Sequence, residues 1–289
     1  MAKVAFLGLG VMGYPMAGHL SQKGHEVNVY NRTISKSEKW VNEYNGNFFN
    51  TPLKAAEGVD YVFACVGEDK DIRSITIGEN GAFHSMRKDS IFVDHTTASA
   101  DVARELNKIA KQRDLQFLDA PVSGGQAGAE NGKLTIMCGG QEEAFNKTKE
   151  LMSCYGAKVT LMGEAGSGQL TKMVNQICIA GLVQGLSEAL NFGKNAGLDL
   201  EKVLNVISGG AAQSWQMENR GSTMIKNEFD FGFAVDWMIK DLKICLSEGG
   251  NNKSELPVTA LVSQFYASLS NKGFGRNDTS SLIRLLQKK

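Results

Sequence analysis

The chain contains no long run of like charge, no C-x-x-C pair, no histidine–cysteine metal spacing, no apolar stretch of membrane length and no internal repeat. Each absence removes a class of function. The 31 basic and 31 acidic residues are intermixed and give a formal charge of +0. That leaves no electrostatic footprint for nucleic acid or for a polybasic membrane contact, so a small-molecule partner is expected. Cys65, Cys138, Cys154, Cys178 and Cys245 are odd in number and lack paired spacing, which fits a reducing compartment and ordinary buried thiols. His19, His25, His84 and His95 show no ligand spacing, so no metal is expected. The longest apolar runs, such as 177–183, fall short of the ~20 residues a membrane span needs. The opening MAKVAFLGLG has one lysine, a short apolar run and then turn glycines, which is not the layout of a signal peptide. The expectation is a cytoplasmic protein with neither a membrane nor a nucleic-acid partner.

What is present points to two domains, the natural expectation for 289 residues. From Lys3 to about Met162, the runs VAFLG, VNVY, DYVFACV, SIFVDH, LQFLDA, LTIMCG and KVTLM read as strands, with helical patterns between most of them. That alternation predicts an α/β domain over 1–162, with a mostly parallel, doubly wound, Rossmann-type sheet covered by helices on both faces. Strand signals stop after Gly166. Residues 170–193 keep an apolar face through Met173, Ile177, Ala180, Leu182, Leu186 and Leu190, a helix of about 36 Å at 1.5 Å per residue. A connecting helix over about 168–193 is long enough to leave one domain and enter another. The remainder reads as helices separated by Gly and Asn breaks, giving an all-α domain over 163–289.

The first strand runs into Gly8-Leu9-Gly10-Val11-Met12-Gly13 and then into a helix. In that order each glycine has a task. Gly8 makes the tight turn, Gly10 lets backbone N–H groups approach a pyrophosphate, and Gly13 allows close helix–strand packing. The residue ending the second strand discriminates between dinucleotides, because a carboxylate there accepts from the ribose 2′-OH of NAD and repels a 2′-phosphate. Here the segment is Asn31-Arg32-Thr33. A guanidinium fork and a hydroxyl suit a phosphate, so NADP is the favoured cofactor and NAD a secondary one; the competing reading is a solvated Arg32 and dual use. Cys65-Val66-Gly67 and Thr96-Thr97 end strands at the face where ligands bind in such sheets, and either reads equally as a plain strand-to-helix turn. His95, in the same region, reads as a packing residue.

Asp119-Ala120-Pro121-Val122-Ser123-Gly124-Gly125 follows a strand, and its proline, serine and glycines suggest a backbone nest for a carboxylate or simply a tight loop. Downstream, Lys172, Asn175 and Gln176 share a face of the long helix by i, i+3, i+4 spacing, behind Gly166-Ser167-Gly168, which reads as a hinge. A lysine beside an amide pair is a better catalytic candidate than a solvated one.

At these residues the chain resembles the β-hydroxyacid dehydrogenase family, which includes 3-hydroxyisobutyrate dehydrogenase, tartronate semialdehyde reductase and glyoxylate/succinic semialdehyde reductase. The segments GLGVMG, DAPVSGG, GSGQLTKMVNQ and KDLKICLSE match in order, over essentially the whole length. The resemblance implies a Rossmann-type domain followed by a helical one, and an oxidoreductase acting on small 3-hydroxy acids or semialdehyde carboxylates. It also implies that Ser123, Gly124 and Gly125 hold the substrate carboxylate and that Lys172 is the catalytic residue. Asn175 or Gln176 would position the substrate, with Lys240 near the nicotinamide. Phe233 and Asp241 match pocket positions of the glyoxylate/succinic semialdehyde branch, and Thr97 matches a threonine there. The NRT segment departs from typical 3-hydroxyisobutyrate dehydrogenases, which carry an acid, and 211–220 matches no one substrate branch.

In that reading Lys172 donates a proton to the developing alkoxide during reduction. To act as base in oxidation it needs a lowered pKa, from burial or a nearby cation such as Lys240. Two alternatives are an imine reductase of the same architecture, against which Lys172 itself counts, and a non-catalytic NADP-binding protein. The apolar α domain with its long helix points to a homodimer or homotetramer.

Overall fold

Short runs of β-branched and aromatic residues pair in parallel to build the N-terminal sheet. β1 (Lys3–Leu7) lies between β2 (Glu26–Tyr30) and β4 (Tyr61–Ala64), with β3 (Asn47–Phe48) outside β2, and β5 (Ile91–Asp94) and β6 (Gln116–Asp119) beyond β4. The order 3-2-1-4-5-6 reverses between β1 and β4, the switch point at which open α/β sheets bind ligands. β8 (Leu134–Gly140) adds antiparallel to β6, β7 (Val122–Ser123) antiparallel to β8, and β9 (Gly156–Gly163) parallel to β8. The two short strands β3 and β7 are absent from the sequence reading; two residues are too few to show alternation.

The computed structural model describes residues 1–287. It divides into one compact unit over Met1–Lys172 and a second from Met173 onward. In the first unit the helices are α1 (Gly13–Gln22), α2 (Ile34–Glu43), α3 (Pro52–Ala56), α4 (Asp69–Ile77), α5 (Ala100–Gln112), α6 (Gly125–Glu130) and α7 (Glu142–Met152). Alternate residues of β1 feed opposite faces: Val4 and Phe6 join Met16, Ala17 and Leu20 of α1, while Ala5 and Leu7 join Val102, Ala103 and Leu106 of α5. Each fully buried aliphatic side chain of this kind stabilises by about 1.5–3 kcal/mol, so both faces of the sheet are firmly covered. The fold class is therefore the expected doubly wound sheet followed by helices.

Register is what matters for function. Leu7 pairs with Tyr30 and with Ala64, Ala64 with Asp94, and Asp94 with Asp119. The last residues of five parallel strands thus stand side by side, and the loops after them all leave from one edge.

α8 (Ser167–Asn195) begins in the first unit and continues into the second. There Ala180, Val183, Leu186 and Leu190 are buried, but Leu182, expected on the apolar face, is exposed. The helical period explains the difference, since 180, 183, 186 and 190 keep i+3/i+4 spacing and 182 falls one residue off it. α9 (Leu200–Ile207), α10 (Trp215–Lys226), α11 (Val235–Asn252) and α12 (Pro257–Leu269) follow, with a final 3₁₀ turn over Thr279–Leu285. Among the described residues no helix is long and apolar enough to cross a membrane.

The cysteines are not uniformly buried. Cys138 and Cys245 are, Cys65 and Cys154 are half-buried, and Cys178 is exposed on α8. Its neighbours on the buried face, Gln176 and Ala180, lie two residues to either side, so the helix turns the thiol outward.

Candidate active site

The turn after β1 can be built only with glycine at two of its positions. Gly8 has φ +101° and donates its N–H to the Tyr30 carbonyl at 2.8 Å; any side chain there would collide with the Cys65 carbonyl. A side chain on Gly13 would collide with the Gly8 carbonyl, which lets α1 start against the turn. At Gly10, by contrast, a Cβ would meet nothing within 4 Å. Close approach at the ends and open space in the middle fit a pyrophosphate lying on the turn at the start of α1. Leu9 is buried and Val11 exposed, so the two side chains between the glycines point to opposite environments.

Asn31, Arg32 and Thr33 divide their tasks. Asn31 Oδ1 accepts the Leu9 N–H at 2.9 Å and its Nδ2 donates to the Thr33 carbonyl at 3.0 Å, tying the end of β2 to the glycine turn. The Arg32 side chain is 87% exposed and lies 3.5 Å from Asp71 of α4. Thr33 starts α2 without donating or accepting a side-chain capping bond. A guanidinium and a hydroxyl therefore face outward beside a turn whose shape the asparagine fixes.

The next two loops are bonded to each other. Val66 N–H donates to Thr96 Oγ1 at 3.0 Å, and Thr96 N–H to Asp94 Oδ1 at 2.9 Å, while Cys65, Gly67 and Thr97 stay half-buried on the same edge. Burial pushes the Asp94 carboxyl up to about 7 although the Thr96 bonds draw it down. His95 is a packing residue. Its Nδ1 bonds the Ala120 carbonyl at 2.7 Å, which requires N–H there and leaves Nε2 to accept from the Tyr155 hydroxyl at 2.8 Å. Burial drives that ring down to about 4, so it is neutral at working pH.

The serine–glycine segment is not wholly a loop. Ser123 sits on β7 opposite Thr135 of β8, and the chain then turns through Gly124 (φ +129°) and Gly125 (φ +63°) into α6. Ser123 and Gly125 are half-buried, Gly124 is exposed, and a Cβ on Gly125 would meet nothing within 4 Å.

Lys172 lies on α8, 7% exposed. The start of that helix is bonded to the same sheet edge: Asp119 Oδ1 accepts the Gly166 N–H at 2.7 Å and Oδ2 the Gln169 N–H at 2.9 Å. The Gln169 side chain accepts from Ala98 N–H at 3.0 Å and donates to the Thr96 carbonyl at 2.7 Å. The segment 166–168 is consequently no hinge. A side chain on Gly168 would collide with the Met137 carbonyl, so helix and strand meet backbone to backbone.

In the second unit, Asn175 Nδ2 donates to Gln176 Oε1 at 2.8 Å and Gln176 Nε2 to Asp241 Oδ2 at 2.6 Å. Lys240 reaches Asp241 Oδ1 at 3.1 Å and lies 5.7 Å from the Trp237 ring centre. Phe233 is half-buried, and its N–H donates to Asp278, a fully buried carboxylate that also takes Arg220 Nε at 3.1 Å and the Ser280 hydroxyl at 2.6 Å. The guanidinium of Arg220 is held between the rings of Trp215 and Phe231, at 4.9 and 5.0 Å. The structure thus gathers Gly8–Gly13, 31–33, 65–67, Thr97 and 123–125 on one edge of the first unit. It joins Asn175, Gln176, Lys240 and Asp241 within the second. Sequence reasoning missed Asp119, Gln169 and Asp278, although an acidic residue at the end of an otherwise apolar strand was a signal available for the first.

Residues 3–163 match the family model for the NAD-binding domain of 6-phosphogluconate dehydrogenase, and 166–286 the model for the NAD-binding region of NADP-dependent 3-hydroxyisobutyrate dehydrogenase. An uncharacterised oxidoreductase of Shewanella frigidimarina is 59% identical over 288 residues, covering 100% of this chain and 99% of that protein. The 2-hydroxy-3-oxopropionate reductase of Escherichia coli is 33% identical, covering 99% and 97%. Among solved structures, the 3-hydroxyisobutyrate dehydrogenase of Mycobacterium tuberculosis with L-serine superposes with a TM-score of 0.91 at 26% identity, covering 100% of both chains.

Proposed function

The chain belongs to the 3-hydroxyisobutyrate dehydrogenase family of oxidoreductases acting on CH–OH donors, and from that premise we propose that it reduces a small semialdehyde carboxylate with NADPH, Lys172 donating the proton. The observation carrying this reading is the placement of Lys172: a buried lysine whose helix starts bonded to the sheet edge that bears the glycine turn.

When bound, the nicotinamide supplies a hydride to the carbonyl carbon. The residues of this chain supply everything else. Gly8, Leu9, Gly10, Val11, Met12 and Gly13 hold the pyrophosphate, Asn31 shapes the turn, and Arg32 with Thr33 takes the 2′-phosphate. Cys65, Val66, Gly67 and Thr97 border the dinucleotide along the edge. Ser123, Gly124 and Gly125 bind the substrate carboxylate. As the carbonyl oxygen gains charge, the Lys172 ammonium bonds it and releases a proton to it, work a guanidinium does poorly because it does not deprotonate at working pH. In this reading Asn175 or Gln176 would orient the substrate, Phe233 and Asp241 would contact it, and Lys240 would serve the nicotinamide. Dinucleotide binding and the carboxylate grip fall to 1–162, and the remaining substrate contacts with self-association into a homodimer or homotetramer to 163–289.

Two relatives support this substrate class. 2-Hydroxy-3-oxopropionate carries an aldehyde β to a carboxylate, and L-serine a hydroxyl at the equivalent carbon. One pocket that grips a carboxylate and presents the third carbon accommodates both. The test is a panel of semialdehydes and glyoxylate with NADPH and NADH, on wild type and Lys172→Ala. A carboxylate-bearing aldehyde with NADPH is expected to be best, and Lys172→Ala to lose about 10²- to 10⁴-fold in kcat while still binding NADPH. Equal use of aldehydes lacking the carboxylate, or a Lys172→Ala enzyme keeping more than about a tenth of kcat, would overturn the reading.

A further inference from the structure

We infer that Asp119 and Gln169 form a latch that positions Lys172 by fixing where α8 begins, an inference that rests on the proton-donor reading of that lysine. The first N–H groups of a helix have no partner within it and are usually capped by a neighbouring residue. Here the cap comes from a different element. Both oxygens of Asp119, the last residue of β6, accept backbone N–H groups from the start of α8, 47 residues away for Gly166 and 50 for Gln169. Gln169 is itself fully buried, and its amide bonds the backbone of Ala98 and Thr96 in the loop after β5. Two strands therefore hold one helical turn at two separate points.

The contact leaves no room to slide. Side chains on Gly168 or on Gly139 of β8 would strike the Met137 carbonyl or the Asp119 carboxylate, so the fit exists only between bare backbones. Lys172 comes three residues after Gln169, about 4.5 Å further along the axis, and its height and rotation follow from the latch. Burial pushes Asp119 up to about 6, while the N–H groups of Gly166, Gln169 and Gly168 draw it down, leaving it ionised at neutral pH opposite the positive end of the helix.

The experiment is a double-mutant cycle, in which Asp119→Asn and Gln169→Met are each made in wild type and in Lys172→Ala. Asn keeps one acceptor but turns an NH₂ toward a backbone N–H; Met removes both bonds of the amide and leaves Asp119 intact. Single-turnover reduction by NADPH, substrate KM, NADPH affinity and thermal melting are measured for all. In wild type, either substitution is expected to lower the rate by about 10- to 100-fold, as a displacement near 1 Å does, with KM and NADPH affinity nearly unchanged. In the Lys172→Ala background the same substitution should change the rate by less than about twofold, because there is no longer a donor to misplace. Should Asp119→Asn fail to fold, Gln169→Met completes the cycle. Equal penalties in both backgrounds overturn the latch while leaving the proton-donor reading standing. A Lys172→Ala enzyme with near wild-type rate overturns both.

Discussion

Asp94 and Asp119 in the first unit and Asp241 and Asp278 in the second are all buried carboxylates, but they are answered differently. Asp94 and Asp119 accept backbone N–H groups, from the loop after β5 and from the start of α8. Asp241 and Asp278 face cations, Lys240 at 3.1 Å and Arg220 at 3.1 Å. The cause lies in the elements. A helix uses its N–H groups internally except in its first turn, so Asp241, within α11, is answered by the side chains of Gln176 and Lys240, whereas Asp94, Asp119 and Asp278 lie where a loop or a helix start still has N–H groups to offer.

The contrast is broken most severely by removing a carboxylate from an ion pair. Asp278→Ala leaves the partly buried Arg220 guanidinium and the Phe233 N–H without their acceptor, and is expected to cost about 2–4 kcal/mol in urea unfolding. A loss under about 1 kcal/mol would mean that the rings of Trp215 and Phe231 alone suffice to hold the arginine.

Next comes the glycine turn, where crowding and open space stand a few residues apart. Gly13→Ala should destabilise by about 1–3 kcal/mol through its collision with the Gly8 carbonyl. Gly10→Ala, made into open space, should leave the melting temperature nearly unchanged and weaken NADPH binding instead. Titrating both variants with NADPH separates the two effects, and equal melting temperatures would show that the turn relaxes around Gly13.

Asp94→Asn sharpens the comparison through pH. With its carboxyl raised to about 7 by burial, the folded protein holds that proton at pH values where the unfolded chain, with a carboxyl near 4, has lost it. Between those values the folded state binds more protons, so stability falls as pH rises through the window. His95 acts in the opposite sense: its ring is held down to about 4, the unfolded chain takes up the proton first, and stability falls as pH drops below about 6.5. Asp94→Asn removes only the first contribution, so it should gain on wild type more at pH 8 than at pH 5 in urea unfolding. A pH-independent difference would place the Asp94 titration elsewhere.

Arg32→Asp is expected to raise the KM for NADPH relative to NADH by about tenfold or more, the worth of one charge-assisted contact. Because Asp71 already lies 3.5 Å from Arg32, a ratio that does not move would mean the guanidinium stays with that carboxylate. The smallest effect belongs to Cys178→Ser, which should shift stability by less than about 0.5 kcal/mol, as expected of an exposed residue.

Much of this was legible beforehand for a physical reason: strand and helix periods are written locally. The seven apolar runs, the order of strand, glycine turn and helix, and the change to helices after Gly166 all rest on near neighbours. Leu182 shows the limit, because a face inferred from six positions admits one that lies a residue off the stripe. Features that depend on distant partners stayed hidden. Asp119 looks like the end of a strand until Gly166 and Gln169 fold back onto it, and the glycines at 166 and 168 look like a hinge until Arg104 and Ala100 pack on the first and the Met137 carbonyl on the second. Ser123 belongs to a strand only because Thr135 pairs with it.

The bare-backbone contact between Gly139 and Gly168 also bears on how this chain can change over generations. Most packed junctions offer a graded series of side-chain sizes through which selection can move in small steps. At this one every replacement begins with a collision, so the position is a discrete character with a single permitted state. The next residue is held by other means, the buried amide of Gln169 being bonded at both its atoms to the backbone of Ala98 and Thr96. Two consecutive residues are thus constrained in different ways, one by the volume it must not fill and the other by the bonds it must make.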